Sequence, residues 1–240
     1  RPRGWVPPAA KPGALVAKFD VTPGRVLTTR QFWCLWVVLC FNVTAGIGVL
    51  GQASAMIQEV FKGTINAGAA AGFVGLLSLF NMGGRFFWAS LSDRIGRKAT
   101  YACFFLLGPV MYALVPLSGQ MGSVVLFVGC FCVILTMYGG GFATIPAYLA
   151  DIFGTKYVGA VHGRLLTAWS VAGILGPVLV NYLREFQINS GIPKHQAYNV
   201  TMYIMAGLLI VGFFANLAVK PVTEKHAEPE VHPGRRPLTV

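Results

Sequence analysis

The sequence predicts an all-α membrane protein built on six transmembrane helices, and three observations carry that prediction. Of the 240 residues, 55% are hydrophobic and only 11% charged, with a mean hydropathy of +0.63, a balance typical of multi-span membrane proteins and outside that of soluble domains. The apolar residues gather into six runs, at about 32–57, 66–91, 99–117, 122–149, 158–183 and 197–219. Each approaches or exceeds the roughly 20 helical residues needed to cross a hydrocarbon core of about 30 Å. Apart from Arg85 and Arg164 the charges fall between the runs, and the basic ones concentrate in alternate loops.

Of the nineteen Lys and Arg residues, fifteen belong to one set of segments. These are the opening stretch (Arg1, Arg3, Lys11, Lys18, Arg25, Arg30), the turn after the second run (Arg94, Arg97, Lys98), the start of the fifth (Lys156, Arg164) and the tail (Lys220, Lys225, Arg235, Arg236). Three others, Lys62, Arg184 and Lys194, lie on the opposite side. By the positive-inside rule both termini are expected in the cytoplasm, with the protein in the cell (inner) membrane. The net charge of +11 is therefore topogenic, and no nucleic-acid partner is expected.

Residues 1–31 are Pro-rich and basic, without the apolar core of a signal peptide. They read as a cytoplasmic linker between domains, and the sequence as the C-terminal portion of a longer protein. Residues 32–219 form the transmembrane domain and 220–240 a cytoplasmic tail. The first run carries Asn42, Thr44 and Gln52, hydrogen-bonding groups that serve either as interhelical contacts or as part of a polar path. Small residues recur in the others, Gly68, Gly72 and Gly75 in the second and Gly139, Gly140 and Gly141 in the fourth, where they let helix backbones approach closely in lipid. Pro146 and Pro177 each remove an amide donor and are expected to kink their helices. The five cysteines lie within apolar runs at no metal-site spacing, and no nucleophile–base pair or cofactor motif is present, so neither an enzyme nor a cofactor is expected.

The second run holds one charge, Arg85. Counted from Asp93 at the membrane surface, a rise of about 1.5 Å per residue places it roughly 12 Å deep. A buried Arg costs about 2.5–3.5 kcal/mol on insertion scales, so it normally faces a polar interior and marks a pathway, an anionic ligand or a partner carboxylate. No Asp or Glu lies inside any apolar run. A carboxylate in a further part of the protein is the rival to a ligand.

The turn after this run, ASLSDRIGRK (Ala89–Lys98), resembles the cytoplasmic-loop signature G-x-x-x-D-[RK]-x-G-[RK]-[RK] of the major facilitator superfamily, with Ala89 in the leading Gly position. Asp93 is expected to meet a neighbouring helix N-terminus, Gly96 to make the tight turn, and Arg94, Arg97 and Lys98 to hold the loop at the surface, the whole acting in gating. Two longer stretches, FWCLWVVLCFNVTAGIGVLGQASAMIQEVF (Phe32–Phe61) and YGGGFATIPAYLADIFGTKYVGAVHGRLLTAWSVAGILGP (Tyr138–Pro177), resemble the oxalate/formate antiporter family within that superfamily.

This resemblance implies the C-terminal six-helix half of a twelve-helix fold, two inverted three-helix repeats that hold substrate near the midplane against an N-terminal half. It implies that Arg85 takes the position of a carboxylate-binding Arg, with Asn81 one turn away and Tyr138 and Phe142 among the cavity aromatics. Trp169 stands where oxalate-binding members have a second cation, so a monocarboxylate is at least as well served as oxalate. Asn42 and Gln52 complete the expected substrate contacts. The expected partners are a small carboxylate, the bilayer and the N-terminal half. A facilitator of another solute, with Arg85 in a structural ion pair, and a non-transporting sensor on the same fold are the other readings.

Overall fold

The computed structural model describes residues 17 and 19–227, and among them it contains helices, turns and no strand. A single turn, α1 (Pro23–Val26), precedes α2 (Arg30–Val60), α3 (Ala67–Ile95), α4 (Arg97–Gln120), α5 (Val124–Phe153), α6 (Val158–Leu165), α7 (Thr167–Asn189) and α8 (Asn199–Ala218). Six stretches are long and apolar enough to cross a bilayer, with α6 and α7 together making the fifth. Lipid offers no partner to a backbone amide, so chain reversals must satisfy themselves. Thr29, Asn66 and Ser123 each accept a backbone N–H with the side chain at a helix start, at 3.3, 2.8 and 3.3 Å. Gly96 and Gly154 turn the chain at positive φ, +91° and +85°.

The packing has the internal symmetry of two inverted repeats. If α2–α4 is superposed in thought on α5–α8, α2 answers to α5, α3 to the α6–α7 span and α4 to α8. The most extensive contacts obey that exchange: α3 packs on α5 as α7 packs on α2, α4 packs on α5 as α8 packs on α2, and α4 meets its own counterpart α8. Both of the first two crossings are made at glycine. At the α2–α7 crossing a β-carbon on Gly176 would stand 2.8 Å from the Thr44 carbonyl oxygen. At the α3–α5 crossing a β-carbon on Gly84 would run into the Thr136 carbonyl, and one on Gly139 into the backbone of Asn81. Backbone-to-backbone contact is what dispersion can achieve where apolar burial drives nothing.

One end of the bundle brings together described segments that carry basic residues, among them Arg25, Arg97, Lys98 and Lys156. The backbone N–H of Ala17 donates to the Asp151 carbonyl (2.7 Å) and that of Val21 to the Phe153 carbonyl (2.9 Å), while Asp20 Oδ1 accepts the Lys156 amide (3.0 Å). Val21 and Val26 are wholly buried. Part of the expected linker is thus docked across the α5–α6 turn, and it also meets the tail: Arg25 donates to the Ala227 carbonyl at 2.9 Å and Gln31 to that of Pro221 at 3.1 Å. The remainder of the linker, residues 1–16 and 18, and residues 228–240 of the tail lie outside the described residues.

One expectation needs correction. The apolar runs understate α2 and α7, which continue to Val60 and Asn189, so Glu59 and Arg184 are helical and form an ion pair in which Arg184 Nε donates to Glu59 Oε2 at 3.1 Å. Mutual neutralisation lets the helices outlast their hydrophobic stretches. Pro146 and Pro177 lie inside continuous α5 and α7. The fifth span is interrupted at Leu166, where the Thr167 hydroxyl donates to the Arg164 carbonyl (2.8 Å) and accepts the Trp36 indole N–H (3.0 Å), a side chain competing with the helical ladder. The α5 interior also has a polar brace that the runs did not reveal: the Tyr101 hydroxyl donates to the Gly141 carbonyl at 2.7 Å.

Candidate functional site

Arg85 projects from α3 as an exposed side chain with its guanidinium carbon 6.0 Å from the ring centre of Phe142 on α5. Phe142 meets Tyr138 edge to face at 5.3 Å, one turn earlier on the same helix, and Trp169 of α7 at 5.8 Å. The Tyr138 hydroxyl stands beside the Trp169 indole and in the field of Arg85. Four of the expected site residues, Arg85, Tyr138, Phe142 and Trp169, therefore form one cluster on three helices. Among the described residues no carboxylate pairs with Arg85. A planar guanidinium over an aromatic face keeps its in-plane N–H donors free for a two-pronged contact with an anion.

The α3–α5 crossing fixes this geometry. Gly84, the residue before Arg85, abuts Thr136, and Gly140 receives the Trp88 side chain, so Arg85 is held at the level where the two backbones approach. The Trp88 indole donates to the Thr136 hydroxyl at 3.2 Å in the same contact.

The other three expected contacts lie apart from the cluster. Asn81 is one turn from Arg85, but its Oδ1 is enclosed against Gly139 without a hydrogen-bond partner. Gln52 donates to Asn181 Oδ1 at 2.7 Å and so clamps α2 to α7. Asn42 is only 5% exposed, because the face of α2 that carries it packs onto Gly141 of α5. Its polar character within an apolar run suggested a cavity-facing position, and the fold turns it inward.

The charged turn is anchored on two sides. Asp93, expected to face a neighbouring helix N-terminus, pairs with Arg97 across the Gly96 turn, because the reversal brings the first residue of α4 back over the last turn of α3. Arg97 also bonds the Ser92 hydroxyl and lies 3.9 Å from Asp151 of α5. Lys98 donates to the Leu217 and Val219 carbonyls at 2.9 and 2.6 Å, closing the C-terminus of α8, while Asn216 Nδ2 donates to the Lys98 carbonyl at 3.0 Å and Asn216 Oδ1 accepts from the Tyr148 hydroxyl at 3.1 Å. Arg94 is exposed. Sequence reasoning missed Asp151, although it is the first acid after the fourth run and falls at the same end as the motif.

The sequence model of the Major Facilitator Superfamily matches residues 1–177 and, in a second overlapping match, 87–240. The chain belongs to the major facilitator superfamily. This facilitator is 35% identical over 167 residues to the oxalate:formate antiporter of Oxalobacter formigenes, an alignment covering 70% of the chain and 39% of that relative. It is 24% identical over 159 residues to an uncharacterised MFS-type transporter, YhjX, of Escherichia coli (strain K12), covering 66% of the chain and 39% of the relative. Over 111 residues it is 31% identical to apicoplast pyruvate carrier 2 of Toxoplasma gondii, covering 46% of the chain and 16% of the relative. The facilitator thus matches about two-fifths of the length of the first two relatives. Its six apolar helices and its symmetric contacts are those of one half of the superfamily fold, and it is a multi-pass membrane protein of a transporter superfamily, within which its likeness is to the oxalate/formate antiporter family.

Proposed function

We propose that this chain is the C-terminal half of a secondary transporter that moves a small carboxylate (oxalate, formate or another monocarboxylate) by alternating access, with both described ends on the cytoplasmic face of the cell (inner) membrane. The observation that carries the reading is Arg85, a cation inside a span, free of any carboxylate among the described residues and set against the aromatic rings of Tyr138, Phe142 and Trp169. The names of an oxalate:formate antiporter and a pyruvate carrier among the relatives support the substrate class. One cation among three rings suits a monoanion with an apolar or planar body, since a second carboxylate would meet aromatic walls in place of a partner charge. Asn81, Asn42 and Gln52 then act on the site through helix packing, and the N-terminal half closes the open side of the cluster.

Counterflow into proteoliposomes holding the intact carrier tests the proposal. Vesicles preloaded with unlabelled formate or pyruvate are expected to draw in the labelled ion in a saturable manner, with oxalate competing less well than the monoanions. If none of the three carboxylates drives exchange while the protein is folded, the substrate class is wrong.

The turn from Asp93 to Lys98 is assigned to gating, since Arg97 ties it to α5 and Lys98 to α8, away from the Arg85 cluster. Asp93 is largely exposed, and such pairs are worth at most about 1 kcal/mol, so Asp93→Asn is expected to slow exchange by up to about fivefold. Equilibrium binding of the carboxylate should be unchanged. A folded Asp93→Asn carrier that no longer binds would place Asp93 at the substrate.

A further inference from the structure

At the end of the bundle away from the Gly96 and Gly154 turns, an open groove of about 330 Å³ runs between α2, α4 and the start of α8. Its polarity is graded along the helices. Met56 of α2, Val115 and Pro116 of α4 and Met202 of α8, each about one turn inside its helix end, make an apolar wall, whereas Gln120 and Asn199 stand at the ends of α4 and α8. Val60 and His195 also border a second open cavity of about 590 Å³, so the two adjoin. Lys62 from the α2–α3 connection and Lys194 from the α7–α8 connection both line that cavity. Neither lysine has a carboxylate partner among the described residues. Glu59, the acid in the same lining, has both oxygens held by Arg184, which also stands over the Tyr198 ring at 5.6 Å. The cavity is therefore left with two uncompensated positive charges.

We propose that groove and cavity together bind one anionic phospholipid of the surrounding bilayer, with its phosphate at Lys62 and Lys194 and an acyl chain against Met56, Val115 and Met202. The order of groups along the site is that of the lipid. The ends of α2 and α4 and the start of α8 lie where spanning helices meet the headgroups, so the lysines stand at phosphate level and the apolar wall lies one turn deeper, beside the acyl chains. Charge selects an anionic headgroup over a zwitterionic one, because two like charges lining one cavity repel and a phosphate beside both removes that cost. Lysine serves this contact as a point charge, without the planar fork that a carboxylate site exploits. The site is separate from the carboxylate cluster: Arg85, Tyr138, Phe142 and Trp169 lie on α3, α5 and α7, and no residue of those helices lines the groove or the cavity. A lipid seated here ties α2, α4 and the α7–α8 connection together at one end of the bundle.

Native mass spectrometry of the intact carrier, released from micelles doped with equal amounts of phosphatidylglycerol and phosphatidylcholine, tests the proposal. Phosphatidylglycerol is expected to be retained in preference to phosphatidylcholine, and the double variant Lys62→Gln, Lys194→Gln to retain the most tightly held molecule about tenfold less or weaker still. Both lysines are exposed, so the unfolding temperature of the lipid-free carrier should not change. Arg30→Gln with Lys225→Gln removes the same charge from exposed positions at the other end and should leave retention as it is. Equal retention of the two lipids, retention untouched by the lysine substitutions, or an equal loss in the control pair would overturn the site. Glycerol 3-phosphate, which has the phosphate without the acyl chains, distinguishes a lipid from a free anion. In excess it should leave the lipid bound, and full displacement would overturn the lipid assignment in favour of a soluble phosphate.

Discussion

Arg85→Gln in the intact carrier is expected to weaken carboxylate binding by about ten- to a hundredfold or more. The estimate follows from the charge-assisted hydrogen bonds that a guanidinium gives a carboxylate, worth about 1.5–3 kcal/mol each when one partner is ionised. Gln keeps a donor and loses the charge, the fork and the stacking on Phe142. Arg85→Lys should recover only part of the loss, since a point ammonium offers no parallel pair of donors. Binding to purified carrier, with thermal stability measured beside it, decides the matter. Unchanged affinity would remove Arg85 from the site, while a large stability loss at unchanged affinity would show it to be half of a structural ion pair with another part of the protein.

The second large effect is steric. Gly83 and Gly84 are adjacent on α3, yet a β-carbon on Gly83 meets nothing within 4 Å, whereas one on Gly84 collides with the Thr136 carbonyl and Cα. Backbone cannot rotate aside as a long side chain does. Overpacking typically costs about 1–3 kcal/mol, and more where the obstacle is main chain, so Gly84→Val is expected to abolish recovery of monodisperse carrier. Gly83→Ala should change stability by no more than about 0.5 kcal/mol. Size-exclusion profiles and unfolding temperatures of the two variants make the comparison. Equal behaviour would mean that the α3–α5 crossing is looser than its geometry implies.

The spans and their number were legible in the sequence because each is a continuous apolar run, and length against bilayer thickness is a one-dimensional criterion. Arg85 was legible for a related reason, as a lone charge in such a run. Helix ends were less so. Glu59 and Arg184 extend α2 and α7 by neutralising each other, a contact between residues 125 apart that no local window contains. Asn42 shows the same gap from the other side, since polarity marks a residue as unusual without saying which face of its helix is covered. Hydrophobicity is nearly uniform around these helices, so periodicity carries little of the facing information that it holds in a soluble bundle. The cluster of Arg85, Tyr138, Phe142 and Trp169 came from family resemblance, and only the packing shows that these four side chains meet while Asn42 and Gln52 stand elsewhere.

The stretch ahead of α2 that docks on the α5–α6 turn bears on how the chain is made. Asp20 and the Lys156 amide it binds are 136 residues apart. At a synthesis rate of about 5–20 residues per second, Asp20 waits roughly 7–27 s after leaving the ribosome before that amide exists. Val21 and Val26, wholly buried in the finished protein, are uncovered throughout that interval. Four spans must insert, and the turn at Gly154 must form, before they find their place. The contact therefore closes late in biogenesis, and a nascent chain arrested before the fifth span keeps this apolar segment uncovered at the membrane surface, as a mark of incomplete assembly.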